Sequence, residues 1–385
     1  MIVRFKKDCT LVGICDTNPG RLDYYNRHIV EKLGGKEVPT FSADDFDTMV
    51  HQTRPDTVIV TTVDAFHHDY IVRAMELGCD SITEKPMTID DDKCRKIMDA
   101  VTRTGKHLRV TFNYRWRLGC TLVRKIIQEG TIGDIIHVDL DYLLDTSHGA
   151  DYFRRWHRQK DKSGGLLVHK GTHHFDLVNW WIDAIPETVF GMGRLAFYGR
   201  ANAEARGVAV EYNRDVGQET EMSPFAIDLS SSERTKGLYL EAEKYDGYQR
   251  DQNVFGEGIS IEDSMSVLVK YRTGVILNYS LNAYMPREGF SVAFNGTKGR
   301  LEYQEDHGER PSKGLGERWT DRIVVLPHFG KPYEVPIPVA EGGHGGADPP
   351  IQEQLFSNNP PPDTWNRNAG HGQGAASIMV GIAAN

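Results

Sequence analysis

The sequence predicts an α/β fold: a doubly wound, Rossmann-type parallel sheet followed by an α+β domain with a large, open, mostly antiparallel sheet. Three observations predict it. In the first third, short apolar runs alternate with helical stretches of roughly ten to fifteen residues, as parallel β-α-β units do. After Asn113 the runs lengthen and alternate every second residue, which suits a sheet with one buried face. A Glu-Lys-Pro sequence at 84–86 sits between a strand and a helix, where open parallel sheets hold their ligands.

Residues 11–16 are the first strand and 18–33 a helix. A short strand at 40–42 leads into a helix over 44–53, and the apolar run 56–62 is a third strand. A helix over 67–77 turns Ile71, Ala74, Met75 and Leu77 inward. The strand before Lys85, a helix over 90–104 and a strand over 107–112 complete a first domain, 1–112. The second domain, 113–385, opens with an amphipathic helix over 118–129. Its strands lie at 135–144, 264–271, 275–284 and 291–294, with a turn at 296–299. Residues 200–258 are polar and Glu-rich and read as an insertion wrapped on the second domain. The Gly- and Pro-rich stretches 342–350 and 358–363 read as loops, and 377–385 as a helix that stops without a cap.

The 385 residues are enough for two cored domains, and 39% hydrophobic with 26% charged residues is an ordinary soluble composition. A formal charge of −9 argues against nucleic acid or an anionic membrane as the main partner. No apolar run approaches membrane-spanning length. The five cysteines show an odd count and no paired metal spacing; they read as reduced thiols, and a cytoplasmic location is expected.

The beginning is unusual. A nucleotide-binding domain of this kind normally opens with a strand and a Gly-x-Gly-x-x-Gly turn whose amides face the pyrophosphate. Nothing similar precedes residue 11, and Asp16 has the place of the acidic residue that ends the second strand and holds the adenosine ribose. Residues 11–16 and 56–62 are therefore expected to face each other across a gap. The chain reads as cut inside its first helix, with residues 1–7 as that helix's tail, or else with 1–5 as a makeshift strand. An export signal would lie in the part that this reading places upstream.

Lys85, at the carboxyl end of a strand, is the leading candidate for chemistry, since a buried lysine there can lose its proton near neutral pH. Thr62 and His67 line the mouth of the preceding strand, although His67 alternatively caps the following helix. His148, His169, His173 and His174 form a loose cluster. Gly171 interrupts any regular helix between His169 and His173, so no metal is expected. Asp176 either steadies His173 or favours a helix amino end. Arg154-Arg155-Trp156-His157 combines donors with a flat ring, which suits sugar recognition. Lys170 suits a carboxylate or a polyhydroxyl substrate. Trp180 and Trp181 read as core, and 246–251 as a polar loop over the site.

Together these segments resemble the glucose–fructose oxidoreductase / inositol dehydrogenase / rhizopine-catabolism (Gfo/Idh/MocA) family. Asp16-x-x-Pro19-x-Arg21 is similar to its ribose-binding strand end. Thr62-x-x-x-x-His67 is similar to its Thr-Pro-x-x-x-His segment, with Val63 in place of the proline, and Glu84-Lys85-Pro86 and Asn113-Tyr-Arg115 match two further motifs. The run from Gly164 to Asp176 resembles its Gly-Gly-x-Leu-x-Asp-x-Gly-x-His-x-x-Asp motif, with His169 where the family usually has aspartate. The 296–302 and 342–348 segments add support. The resemblance implies a nicotinamide cofactor, NAD rather than NADP because Asp16 would repel a 2′-phosphate that Arg21 alone would attract. It implies cofactor contacts at Asp16, Arg21, Thr62, His67, Glu84, Lys85 and Asn113. Proton transfer falls to Lys85 with His169 or His173, and substrate contact to Arg115, His148, Arg155, Trp156, Lys170 and His174. The implied activity is hydride transfer to or from a secondary hydroxyl of a sugar, glycoside or cyclitol, by a homo-oligomer joined through the second-domain sheet. Two alternatives stay open. One is a redox-neutral glycosidase or lyase working by transient oxidation; the other is an inactive ligand-binding or scaffold relative.

Overall fold

The structure, a computed structural model, describes residues 5–217, 223–307, 321–339 and 341–385. In the first third, β1 (Ile14–Asp16) pairs in parallel with β2 (Thr40–Ser42), and β3 (Thr57–Val60), β4 (Asp80–Thr83) and β5 (Leu108–Val110) form a separate parallel sheet. Among the described residues no ladder joins β1 to β3. Residues 1–4, on which both readings of the opening segment turn, lie outside the described residues; Phe5 begins a single turn, accepting from the amides of Asp8 and Cys9.

Local chemistry fixes the helix starts and stops. Helix α1 (Pro19–Leu33) opens on Asn18, whose side chain accepts from the amides of Gly20 and Arg21, with Pro19 just inside and left-handed Gly34 at its end. Helices α2 (Phe46–Thr53), α3 (His67–Glu76) and α4 (Asp91–Thr104) follow β2, β3 and β4. Their inward residues, among them Ile71, Ala74, Met75 and Ile97, pack with Val58, Val60, Leu108 and Val110. Ala369 and Ile378 join this core from the other end of the chain, and the amide of Val110 donates to the Ala369 carbonyl.

Beyond α5 (Leu118–Gln128), eight strands form one sheet: β6 (Ile135–Asp145), β7 (Pro186–Arg194), β8 (Ser264–Tyr271), β9 (Ile276–Met285), β10 (Gly289–Gly296), β11 (Gly299–Asp306), β12 (Arg322–Pro327) and β13 (Tyr333–Val335). Their spatial order is β13-β12-β11-β10-β6-β9-β8-β7, antiparallel except for β6 beside β9. The alternation is strict in β8, where Met265, Val267, Val269 and Tyr271 are buried while Ser266, Leu268 and Lys270 are exposed. Leu277 and Leu281 of β9 are also fully buried, each contributing about 1.5–3 kcal/mol. The inner face packs on the helix Gly171–Ile182, where Trp181 is 0% and Trp180 5% exposed, as core residues should be. The predicted fold class holds.

Two local expectations are corrected. The 342–350 stretch is partly helical: a short turn over Gly343–Gly346 precedes a helix over Asp348–Phe356, with Pro residues in its first turn where no amide donor is needed. The 200–258 segment does not wrap the second domain alone. It reaches α1, where Asn18 donates to the Ala242 carbonyl at 3.0 Å and Asp246 pairs with Arg21 at 2.8 Å. Among the described residues, no helix is long and apolar enough to cross a membrane.

Candidate active site

The carboxyl ends of β1, β3, β4 and β5 bring Asp16, Thr62, Glu84-Lys85 and Asn113 to the corresponding end of the parallel strands. Lys85 follows exposed Glu84 directly, and its Nζ lies 3.4 Å from His169 Nε2 and 3.2 Å from the His169 carbonyl oxygen. His169 ends a short helix, Leu166–His169, that starts after Gly164 and Gly165 at φ of 71° and 81°, conformations that glycine adopts without a steric penalty. Its other nitrogen, Nδ1, lies 2.5 Å from Asp64 Oδ2. With Asp64 as carboxylate, the network assigns the proton to Nδ1 and leaves the Nε2 lone pair toward Lys85.

Two members of this chain are closed off from water, Asp64 at 4% and His169 at 8% exposed, while Lys85 is half-buried. Burial pushes Lys85 below the ordinary lysine range, with Asp64 opposing and Lys170 assisting. Burial pushes Asp64 well above the usual carboxylate range, with Lys85 opposing. It also pushes His169 well below the ordinary imidazole range, so the ring is neutral. A half-buried amine and a buried acid thus approach one another across a neutral imidazole, the electrostatic condition for moving a proton among them. Asp64 was not among the candidates. It lies inside the Thr62–His67 segment, and an acidic residue entering a helix gave no sign that it would face a histidine 105 residues away.

The other histidines are divided among different partners. His173 is 5% exposed and stacks on Tyr114 with ring centres 4.2 Å apart, and its Nδ1 is buried without a partner. His174 Nδ1 lies 2.7 Å from the Tyr279 hydroxyl, and the ring stacks on Tyr142 at 3.9 Å. His148 pairs with Glu288 at 2.8 Å and remains 43% exposed. Among the described residues, no group of three or more His, Cys, Asp or Glu side chains is placed to hold a metal. Lys170 is 4% exposed and donates to the Tyr114 hydroxyl at 3.1 Å. Although burial alone raises a phenol, Lys170 and Arg117 bring Tyr114 down to about 7. Trp156 stacks on His157 at 3.6 Å and presents its ring edge-on to His169 at 6.1 Å.

Three expected contact residues have structural partners instead. Arg115 forms a bidentate pair with Asp176, at 2.6 and 2.7 Å, and both side chains are shut off from solvent at 3% and 1% exposure. That pair also removes Asp176 from His173. Arg21 is held by Asp246, by the Leu238 carbonyl at 3.3 Å and by Asp16 at 3.6 Å. His67 is 1% exposed, with Nδ1 2.9 Å from the Pro86 carbonyl and Nε2 3.1 Å from the Thr62 carbonyl. Burial brings His67 down to about 4, so it is neutral and steadies the two strand-end loops rather than facing the mouth. Asp16, by contrast, keeps 34% of its side chain exposed.

An acidic residue at one parallel strand end and a half-buried lysine at another suit the ligand-binding end of an open parallel sheet. The chain belongs to the Gfo/Idh/MocA oxidoreductase family: residues 2–112 match its NAD-binding Rossmann fold and residues 124–322 its C-terminal alpha/beta domain. YteT of Bacillus subtilis (strain 168), an oxidoreductase by name, is 37% identical over an alignment of 390 positions covering 99% of this chain and 90% of its own. A D-glucoside 3-dehydrogenase of Escherichia coli (strain K12) is 26% identical over 171 residues, 44% of this chain and 46% of its own. A glycosyl hydrolase family 109 protein of Shewanella woodyi (strain ATCC 51908 / MS32) is 23% identical over 369 residues, 89% of this chain and 70% of its own. Two solved structures share the fold at 16% identity. Aldose-aldose oxidoreductase from Caulobacter crescentus with glycerol has a TM-score of 0.62 and covers 100% of this chain and 92% of its own. The WlbA dehydrogenase from Bordetella pertussis with NADH and UDP-GlcNAcA has a TM-score of 0.63 and covers 100% and 90%.

Proposed function

We propose that this protein is an NAD-dependent oxidoreductase that oxidises a secondary hydroxyl of a sugar, glycoside or cyclitol, or reduces the corresponding ketone. The observation that carries the reading is the Lys85–His169–Asp64 chain at the end of the parallel strands. Asp16 would hold the ribose hydroxyls, and Thr62, Glu84 and Asn113 would line the nicotinamide side; the Asn113 Oδ1 is buried without a partner and fits an amide or hydroxyl donor. NAD rather than NADP follows from charge, since Asp16 and Asp246 both meet Arg21 and would repel a 2′-phosphate. When bound, NAD supplies the hydride acceptor.

Lys85 takes the hydroxyl proton. Its neutral form is favoured by burial, and His169 Nε2 and the His169 carbonyl orient its nitrogen. Asp64 fixes the His169 tautomer by accepting from Nδ1. His173, with a free buried Nδ1, and Lys170, His174, Trp156, His148 and Arg155 surround the place for the sugar.

The relative in glycosyl hydrolase family 109 supports a second reading, a redox-neutral glycosidase or lyase, and His169 in place of the family's usual aspartate is the feature that favours it. We place the protein in the cytoplasm on its five free thiols, and join subunits through the sheet face that leaves Phe190 62% and Met192 68% exposed. The test is to follow NADH formation and aglycone release in parallel on sugars and aryl glycosides. NADH accumulation that Lys85→Met abolishes, with NAD still bound, supports the first reading. Aglycone release without NADH supports the second.

A further inference from the structure

We propose that the substrate is a carbohydrate carrying one carboxylate, a uronic acid or uronoside, and that Arg155 and Arg250 hold that carboxylate. The inference rests on the oxidoreductase reading for the position of the sugar ring, and it adds the substrate class.

Three guanidinium groups converge on one carboxylate, Asp151. Arg155 Nη1 lies 3.0 Å from Oδ2, Arg250 reaches both oxygens at 2.8 and 2.9 Å, and Arg154 stands 3.7 Å from Oδ1. Arg154 has a second acid, Asp215, at 3.9 Å, with both side chains nearly fully buried. Arg155 and Arg250 have no second acid among the described residues, so two cations share one anion. The Nε atoms of both are buried without a hydrogen-bond partner, as are those of Arg117, Arg154 and Arg158. What sets Arg155 and Arg250 apart from those three is that they share a single acid and keep 27% and 14% of their side chains exposed, against 4% for Arg154 and 8% for Arg117.

The place is partly open and adjoins the chemistry. Arg155, Asp151 and Arg250 keep 27%, 22% and 14% of their side chains exposed. Trp156, next in sequence to Arg155, is edge-on to His169, and His157 lies 4.3 Å from the same ring. Arg155 is among the charges felt at both Asp64 and His169. A sugar whose hydroxyl meets Lys85 can therefore carry a substituent to Arg155, while Trp156 offers a flat surface to its apolar face. Arg250 comes from the 200–258 segment, which also docks on Arg21 and Asn18, so one segment ties the cofactor-side helix to the anion site. The charge count selects a carboxylate. Two guanidiniums against Asp151 leave one positive charge, which a monoanion neutralises and a phosphate dianion would overturn. Of the other nearby cations, Arg154 is matched by Asp215 and Lys170 is already engaged with Tyr114.

The test uses the full chain with NAD and measures binding by calorimetry, with NADH formation followed separately. The probes are matched methyl glycosides and methyl uronosides of gluco and galacto configuration, with glucose 6-phosphate as the dianion. We expect one uronoside to bind at least about tenfold tighter than its neutral partner, equivalent to about 1.4 kcal/mol. Added salt should erode that margin, and Arg250→Met or Arg155→Met should shrink it to within about twofold. Equal or tighter binding of the neutral glycosides overturns the proposal, as does tighter binding of the phosphate, an unchanged margin in both variants, or binding of none of the probes. The wild-type comparison stands even if a variant fails to fold. A uronoside that binds selectively without forming NADH preserves the anion site and removes the dehydrogenase reading. Neutral sugars oxidised without any preference for the acid do the reverse.

Discussion

Lys85 and Lys170 lie in the same buried region, yet their surroundings drive them in opposite directions. Lys85 faces a neutral imidazole, with the buried Asp64 carboxylate one ring further away, and burial wins: its ammonium is destabilised. Lys170 is buried more deeply, at 4% exposed, but Tyr114, Tyr152 and Glu288 push it up, and the Tyr114 hydroxyl accepts its hydrogen bond. Lys170 is the more deeply buried of the two yet is the one pushed up, so the difference lies in what stands beside each amine. A lysine with its anion in direct contact is a fixed charge. A lysine separated from its acid by a histidine is a site where a proton can come and go.

The largest effect that would break this comparison is on turnover. Lys85→Met should lower kcat by about 10²–10⁴-fold while NAD binding, read by nicotinamide fluorescence quenching, persists. An equal loss of kcat in Lys170→Met, with Lys85→Met still active, would reverse the roles. Arg115 supplies a third case, a cation locked to its own carboxylate. Arg115→Met should destabilise the fold by about 3–5 kcal/mol in denaturant titrations, because Asp176 is left buried and unpaired; a stable Arg115→Met protein with raised KM would return Arg115 to the substrate.

Asp64→Asn sharpens the comparison through pH. The Asp64 carboxylate raises Lys85, so its removal should let the amine lose its proton more easily. The limb of the oxidation rate that rises with pH should therefore move to lower pH, and kcat should fall about tenfold as the His169 tautomer is released. A limb moving to higher pH would contradict the arrangement.

The smallest expected effect is spectroscopic. Tyr114 sits at about 7 in the folded protein against its ordinary value of 10, so the ionised phenol should appear in near-ultraviolet absorbance near neutral pH and vanish from that range in Lys170→Met. The depressed value stabilises the fold above the ordinary tyrosine range, and the benefit is lost as pH falls from about 10 through about 7.

The strands, helices and Lys85 were readable because periodicity and punctuation are local properties of the chain. Lys85 announces itself by ending a strand before proline, and His169 by standing where the motif that this segment resembles usually has an acid. Asp64 was hidden because its meaning comes from a partner far along the chain, although the substitution at 169 was a signal to search for a displaced carboxylate. Arg115 was misjudged for the same reason: an arginine in a motif looks available until Asp176 is seen to close around it. The 200–258 segment is polar enough to read as a surface wrap, and only the fold reveals that Asp246 and Arg250 tie it to both halves of the site.

The central claim is most directly tested by nitrogen-15 NMR titration of the lysine side-chain amines, with Lys85 and Lys170 assigned through Lys85→Met and Lys170→Met. The arrangement predicts that Lys85 Nζ loses its proton at a lower pH than the surface lysines while Lys170 Nζ stays charged beyond them. Both amines titrating together with the surface lysines, or Lys170 titrating first, would contradict it.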